Sequence, residues 1–78
     1  MEELIDYIAR SLVDDPSQVD IRQWRRGSTT IFELSVAKED MGRVIGKSGR
    51  VATAMRALLR VAAAREGAKA SLDIVDPE

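Results

Sequence analysis

Two glycines separated by two residues, with helical segments on both sides, constrain the fold of this chain more than any other feature. The stretch runs Val44-Ile45-Gly46-Lys47-Ser48-Gly49-Arg50-Val51. Glycine adopts positive φ angles without a steric penalty and lets the backbone approach a ligand closely. Backbone N–H groups in such a loop, at the start of a helix, form a binding site for anions. The stretch therefore predicts a phosphate-binding loop at the N-terminus of a helix.

Helical and strand patterns surround this loop on both sides. Apolar residues at helical spacing predict a first helix over residues 2–13, which Asp14-Asp15-Pro16 ends. Alternating polar and apolar residues predict strands over residues 19–24 and 29–37, joined by a turn at residues 25–28 into a hairpin. The pattern places Phe32, Leu34 and Val36 on one face of the second strand and Ile31, Glu33 and Ser35 on the other.

The second half of the chain completes the predicted fold. A short helical turn, with Asp40 as its N-cap, leads into the loop, and Ser48 is a possible cap for the helix that follows. That helix spans residues 50–65, ends at Gly67, and is followed by a strand over residues 69–75 and a tail of Asp76-Pro77-Glu78. The predicted class is α+β: a two-layer α/β sandwich with the order α-β-β-α-α-β and a three-stranded sheet.

The long helix carries apolar residues on two sides. One side is predicted to enter the core and consists of Val51, Met55, Leu58, Leu59 and Ala62. The other side is a stripe of small residues, Ala54, Ala57, Val61 and Ala64. Two interpretations of the stripe remain open: ordinary helix formers that face water, or a close helix–helix contact in a dimer, which Val61 favours.

Charge is distributed unevenly along the chain, although the net charge is only −1. Residues 1–20 contain six acidic residues and one basic residue, Arg10. Residues 41–65 contain no acidic residue and carry Arg43, Lys47, Arg50, Arg56, Arg60 and Arg65. Basic residues on one helix are usually a solvated face, but an acid-free span that includes the glycine loop favours an anionic partner.

Composition excludes several classes of protein. A chain of 78 residues is one small domain of marginal stability, which dimerisation could support. The chain has no cysteine and no histidine, and therefore lacks thiols, the commonest general base and the commonest metal ligand. We expect no enzyme, no metal and no cofactor. No stretch is apolar enough to span a membrane and Met1-Glu2-Glu3 is not a signal-peptide start, so we expect a cytoplasmic protein.

The phosphate loop of nucleotide hydrolases is a poor match to the glycine stretch. Gly46-Lys47-Ser48 resembles the end of G-x-x-x-x-G-K-[ST], but that motif requires glycine at position 41, where this chain has Met41. Gly42 is one residue out of place, and a helical turn precedes the loop where the motif requires a strand. The single tryptophan, Trp24, could stack on a base, although a lone tryptophan in a strand more often contributes to packing.

A G-x-x-G loop between two helices, preceded by Val44-Ile45, followed by Arg50-Val51 and set behind a hairpin, resembles a KH domain. The element order is that of the type II, bacterial form, and the resemblance covers nearly all of the chain as a single domain over residues 1–78. A chain of this size with nothing beyond one such domain is similar to the bacterial KhpA (YlqC-like) family. The low aromatic content of 4% fits an aliphatic groove better than an aromatic stacking platform.

The resemblance implies a set of RNA-binding residues. Backbone amides of Gly46, Lys47, Ser48 and Gly49 would lie against the sugar-phosphates of about four nucleotides of single-stranded RNA. Lys47 would supply a mobile charge, and Arg43 and Arg50 would flank it. Val44 and Ile45 would form the floor of the groove under the bases.

The resemblance also implies partners and a cellular role. Members of the family form homodimers, and heterodimers with a larger KhpB (Jag or EloR) protein. The family is linked to RNA chaperone activity, post-transcriptional regulation, cell-wall synthesis and cell shape. The predicted function is therefore non-catalytic RNA binding. The alternative is a protein-interaction or dimerisation module in which nucleic-acid binding is secondary.

Overall fold

In the computed structural model, which describes residues 1–76, helices and strands follow each other in the predicted order. They are α1 (Glu2–Leu12), β1 (Asp20–Arg26), β2 (Thr29–Ser35), α2 (Met41–Ile45), α3 (Arg50–Arg65) and β3 (Lys69–Ile74). Short 3-10 turns at Pro16–Gln18, Lys38–Asp40 and Lys47–Gly49 connect them. Two residues of the predicted tail, Pro77 and Glu78, lie outside the described residues. The α+β class and the order α-β-β-α-α-β are confirmed.

The three strands form one mixed sheet in the order β1-β2-β3. β1 and β2 are an antiparallel hairpin, and β2 runs parallel to β3, so α2 and α3 form the crossover between parallel strands. The hairpin turn is tighter than predicted, because Arg25 and Arg26 continue the ladder opposite Thr30 and Thr29. Gly27, at φ +62°, supplies the left-handed conformation that so short a turn needs.

The sheet has one covered face and one open face. Phe32, Leu34 and Leu72 point to the covered face and are buried together with residues from all three helices. That cluster consists of Ile5, Ala9, Val13, Phe32, Leu34, Val36, Val44, Met55, Leu59 and Leu72. The alternate strand positions, among them Ile31 and Ser71, lie on the face away from the helices. The predicted alternation along β2 is therefore confirmed, and β3 shows the same alternation.

The core-facing side of α3 is rotated from the predicted one. The buried residues are Ala52, Met55, Leu59 and Ala63, which form a single narrow stripe along the helix. The prediction that Leu58 enters the core is wrong, because this side chain is 50% exposed. Leu58 lies beside the core stripe and next to Ala54, over a groove between α1 and α3.

Gly67 ends α3 as predicted. The glycine adopts φ +68°, and its N–H donates to the carbonyl of Ala64 at 3.0 Å. The following N–H, of Ala68, donates to the carbonyl of Ala63 at 2.9 Å. These bonds satisfy carbonyls that the helix end would otherwise leave unpaired, and they turn the chain into β3.

Asp40 joins the end of α1 to the start of α2. It stands at the N-cap position predicted for it, but its side chain makes no capping hydrogen bond to α2. The carboxylate is instead buried, at 2% exposure, and accepts hydrogen bonds from the backbone N–H groups of Asp14 and Asp15, each at 3.1 Å. A buried carboxylate is tolerated only with such donors, so Asp40 fixes where α2 begins relative to α1.

Candidate nucleic-acid interface

The loop at residues 46–49 has an unusual backbone. Gly46, Ser48 and Gly49 have φ angles of +78°, +58° and +74°, so three of its four residues adopt positive φ. Ser48 is the one non-glycine residue in residues 1–76 with this conformation. α2 ends directly before the loop and α3 begins directly after it. Since Gly49 occupies the N-cap position of α3, the possible cap by Ser48 does not form.

Gly46 and Gly49 are required for different reasons. A Cβ atom on Gly46 would lie 2.5 Å from Cγ2 and 2.7 Å from the backbone nitrogen of Val51. Backbone cannot yield to such a contact, so only glycine lets the chain pass this close to the first turn of α3. A Cβ atom on Gly49 would meet no atom within 4 Å, so that position needs glycine for its φ angle alone.

Internal hydrogen bonds occupy two of the four loop amides. The N–H of Gly46 donates to the carbonyl of Gly42 at 2.8 Å and closes α2. The N–H of Gly49 donates to the carbonyl of Gly46 at 3.1 Å and closes the loop. The other two loop amides, those of Lys47 and Ser48, are the candidate donors to a phosphate.

The side chains of Lys47, Ser48 and Arg50 are exposed around these amides. Within residues 1–76, neither Lys47 nor Arg50 takes part in a salt bridge. Ile45 precedes the loop and is 38% exposed, so it can contact a ligand. Val44 was predicted to do the same, but this is wrong: its side chain is fully buried in the core and anchors α2 instead.

Arg43 is held by two acidic residues. Its terminal nitrogen lies 2.9 Å from a carboxylate oxygen of Asp14, and its Nε lies 3.4 Å from Oδ1 of Asp40. The Arg43 side chain remains about half exposed. Arg43 therefore extends the Asp40 contact between α1 and α2, and a phosphate would have to compete with Asp14 for its guanidinium group.

Two further arginines line a groove that was not predicted as part of the site. Arg56 and Arg60, on α3, border a groove of about 150 Å³ between α3 and the edge strand β3. Nε of Arg56 donates to the carbonyl of Leu72 at 3.0 Å and ties the helix to the strand. Both arginines belong to the acid-free span of residues 41–65, and that charge pattern was the signal that could have identified them.

The stripe of small residues on α3 faces outward. Ala54, Ala57, Val61 and Ala64 are all exposed, and Leu58 extends the stripe with a large apolar side chain. Beside it, a groove of about 360 Å³ separates α1 from α3. Its lining is almost entirely apolar and consists of Ile8, Leu12, Arg50, Val51, Ala54, Met55 and Leu58.

The residues of catalytic or metal chemistry do not gather at the loop. In the part of the chain that the structure describes, no group of three or more histidine, cysteine, aspartate or glutamate side chains could hold a metal ion. Over the same residues, no helix has the length and apolar character needed to cross a lipid bilayer. The loop combines backbone amides and cations, which recognise phosphate rather than transform it.

Comparison with known proteins identifies the family. The family model described as "KhpA/KhpB, KH domain" matches residues 2–74. An RNA-binding protein KhpA of Treponema pallidum is 47% identical over 75 residues, which cover 96% of this chain and 94% of that protein. Proteins with the same description from Clostridium perfringens and Chlamydia trachomatis are 44% and 43% identical, covering 96% and 97% of this chain and 100% and 97% of their own lengths. The chain, with its α-β-β-α-α-β order and its G-x-x-G loop between α2 and α3, belongs to the KhpA/KhpB family of type II KH domains.

Proposed function

We propose that this chain is a non-catalytic RNA-binding protein whose G-x-x-G loop clamps a short segment of single-stranded RNA. The observation that carries the proposal is the loop itself: a backbone forced into positive φ at three positions, with the exposed Lys47 and Ser48 between its glycines. Three relatives that are 43%, 44% and 47% identical to this chain are named for RNA binding.

The phosphate contact in this proposal comes from the centre of the loop. The amides of Gly46 and Gly49 are used internally, so the N–H groups of Lys47 and Ser48 would donate to a phosphate oxygen. The Lys47 ammonium group adds charge on a flexible stem, and Arg50 lies at the first turn of α3. Phosphate contacts of this kind position a strand without reading its sequence.

The bases would follow α3 away from the loop. Ile45 offers an exposed aliphatic surface beside the loop, and the groove between α3 and β3 is lined by the exposed side chains of Arg56 and Arg60. KH domains bind about four nucleotides of a single strand in this manner. Since one module neutralises few phosphates, we expect modest affinity from one copy.

Two aspartates introduced into the loop test the clamp. We expect Lys47→Asp with Ser48→Asp to keep the melting temperature of the fold and to abolish the tight binding to single-stranded RNA that a filter or mobility-shift assay detects. Both side chains are exposed, so little packing is lost, while two carboxylates would repel the phosphate.

The matched control for this experiment is Lys38→Asp with Ser17→Asp. It changes the net charge by the same amount at two exposed positions outside the loop. RNA binding that is unchanged in the loop variant, or is lost equally in the control, would reject the loop as the site.

The alternative function, a protein-interaction module, is favoured by a different observation. Ala54, Leu58 and Val61 form an exposed apolar strip on α3, beside the groove between α1 and α3. Apolar strips of this kind commonly mark interfaces. We propose that the strip mediates a homodimer, a heterodimer with a KhpB-like protein, or both, and that a second copy adds phosphate contacts to those of the first.

Replacing Val61 with aspartate tests this interface. We expect a shift from dimer to monomer in sedimentation, because a charge would be buried without a partner. Ser28→Asp is the control, since Ser28 is exposed in the hairpin turn and does not belong to α3. A wild-type chain that sediments as a monomer at high concentration would reject the homodimer. RNA chaperone activity and the links to cell wall and cell shape remain predictions from family resemblance.

A further inference from the structure

We propose that the open face of the sheet, centred on Trp24, is a second contact surface for single-stranded nucleic acid. The surface lies on the face that the helices leave uncovered, whereas the G-x-x-G loop connects two helices of the other layer. The inference depends on the proposed function only for the class of ligand, and neither site requires the other to exist.

The register of the strands assembles this surface from three segments of the chain. Trp24 pairs with Ile31, and Ile31 is aligned with Ser71, so these residues form one row across β1, β2 and β3. The next row on the same face, toward the hairpin turn, consists of Arg26, Thr29 and Lys69. An aromatic row and a cationic row are therefore neighbours, about 7 Å apart along the strands.

Trp24 has the exposure that a stacking platform needs. Its side chain is 40% exposed, while the neighbouring Ile31 is only half-buried, and no residue on this face of β1, β2 or β3 is buried. Every base has a π face, so aromatic side chains bind single strands with little dependence on sequence. Packing alone does not explain why the sole tryptophan of the chain stands on the face that has no second layer.

The charges on this face are separated along the strands. Arg26 and Lys69 are exposed, and within residues 1–76 neither takes part in a salt bridge. On the other side of Trp24, Arg22 lies 3.4 Å from Asp20, and its row also contains Glu33 and Asp73. A strand stacked on Trp24 would therefore place its phosphates toward the hairpin turn and away from these carboxylates.

The start of α1 lies on the covered side of the sheet. Glu2 and Glu3 share with Trp24 the border of a groove of about 440 Å³ between α1 and β1, and Arg25 and Phe32 of the covered face line the same groove. The groove does not open on the face that carries Arg26 and Lys69, so these two residues are the cations available to the strand. The stacked base and its phosphate would thus occupy Trp24 and the row beside it.

The composition of the face favours nucleic acid over a protein partner. Trp24 and Ile31 are its apolar residues, and charged or hydroxyl side chains surround them. A protein interface of ordinary size needs a broader apolar centre than two side chains. One stacking residue bordered by cations and hydroxyl groups is the arrangement by which proteins bind single strands without reading sequence.

Trp24 provides its own spectroscopic test, because it is the only tryptophan in the chain. Oligouridylate should be titrated into the wild-type chain and into the Lys47→Asp, Ser48→Asp loop variant while tryptophan fluorescence is followed. We expect quenching in both proteins, with saturation at higher concentration in the loop variant. Quenching in neither protein, or in the wild type alone, would overturn an independent site on the sheet.

Substitutions at the surface separate this inference from the loop proposal. We expect Trp24→Thr, which keeps a good strand former, to weaken binding of oligouridylate by about five-fold or more, and Trp24→Phe to retain most of the affinity. Arg26→Gln with Lys69→Gln should also weaken binding and make it less dependent on salt. Lys38→Gln is the control for the loss of an exposed cation elsewhere.

The two sites fail in distinguishable ways. Loss of binding in the loop variant with wild-type affinity in both sheet variants would reject the surface at Trp24 and keep the loop. Wild-type affinity in the loop variant with loss of binding in the sheet variants would reject the loop and keep the surface at Trp24. Thermal melting shows whether each variant is folded. If Trp24→Thr is unfolded, the Arg26→Gln, Lys69→Gln variant decides whether the sheet binds RNA, because both of its substitutions are at exposed positions.

Discussion

Gly46 and Gly49 are the same residue type at the two ends of one loop, but the structure makes different demands on them. Gly49 needs only a left-handed backbone, and a side chain there would enter open space. Gly46 needs a positive φ and also a missing side chain, because the backbone of Val51 passes too close. The first glycine is therefore a packing requirement of α3, and the second is a requirement of the turn.

We expect Gly46→Ala to destabilise the fold more than Gly49→Ala. Gly49, at φ +74° and ψ +13°, lies in the left-handed region, which costs a non-glycine residue about 1–2 kcal/mol. Gly46, at φ +78° and ψ +169°, lies in a region that is essentially restricted to glycine. Gly46→Ala additionally forces Val51 and the start of α3 to move. Urea denaturation of the two single variants measures the difference in unfolding free energy. Equal losses would mean that the contact with Val51 relaxes without cost.

Residue by residue, the loop could be predicted from the sequence, but the surroundings of its neighbours could not. The glycine spacing and the flanking Val44-Ile45 located the loop, yet the sequence does not show which of the two apolar residues is buried. Asp40 was predicted to cap α2 because of its position, whereas its carboxylate accepts hydrogen bonds from the amides of residues 14 and 15. These two hydrogen bonds join residues that are 26 and 25 positions apart in the sequence. Patterns of neighbouring residues therefore do not predict them.

α3 shows which properties of an element its sequence determines. The prediction gave residues 50–65, and the helix spans Arg50–Arg65, because strong helix formers fill it and Gly67 ends it. Its rotation about its axis was predicted less well. With alanine, valine or leucine on nearly every side, several faces are apolar enough to enter the core, and packing against β3 and α1 decides among them.

The adjacent leucines of α3 provide a direct test of that rotation. We expect Leu59→Ala to cost about 2–5 kcal/mol of unfolding free energy, because it leaves a cavity in the core. Leu58→Ala should cost less than about 1 kcal/mol, because half of the side chain already faces solvent. Chemical denaturation at low protein concentration, where any dimer dissociates, provides both values. Equal losses would contradict the helix orientation described here.

At the scale of the whole molecule, charge is separated by region although the sum is nearly neutral. The acidic residues are concentrated in α1 and the turn that follows it, whereas residues 41–65, which carry the loop, contain none, and Arg43 and Asp14 form an ion pair between the two regions. A near-zero net charge therefore gives little long-range attraction to RNA, and binding depends on cations close to the strand. For this reason we expect a weak salt dependence, set by local contacts.

The salt dependence can be stated quantitatively. For RNA just long enough to cover the loop, about two to four phosphate contacts predict a slope of log K against log salt between about −1.4 and −2.8. Lys47→Gln should reduce the magnitude of the slope by about 0.7, the contribution of one phosphate contact. Fluorescence anisotropy over a series of salt concentrations measures it. A much steeper slope would show that the strand contacts cations well beyond the loop.

The architecture was predictable from the sequence because independent local signals agreed. Helical spacing, strand alternation, the glycine of the hairpin turn and the glycine after α3 all supported one order of elements. Exposed surfaces are less constrained by such signals, since many residue types are compatible with water. Trp24 and Leu58 are large apolar residues at exposed positions, and their surroundings became visible only when the strands and helices were assembled.

The buried carboxylate of Asp40 has a consequence for anyone who shortens this protein. Its two amide donors belong to residues just after α1, so a fragment that begins at β1 would lose both of the hydrogen bonds that hold the carboxylate in place. Without these bonds, the segment immediately before α2 would lose its fixed position, and α2 leads directly into the G-x-x-G loop. The first fifteen residues are thus a structural prerequisite of a loop that begins some thirty positions later.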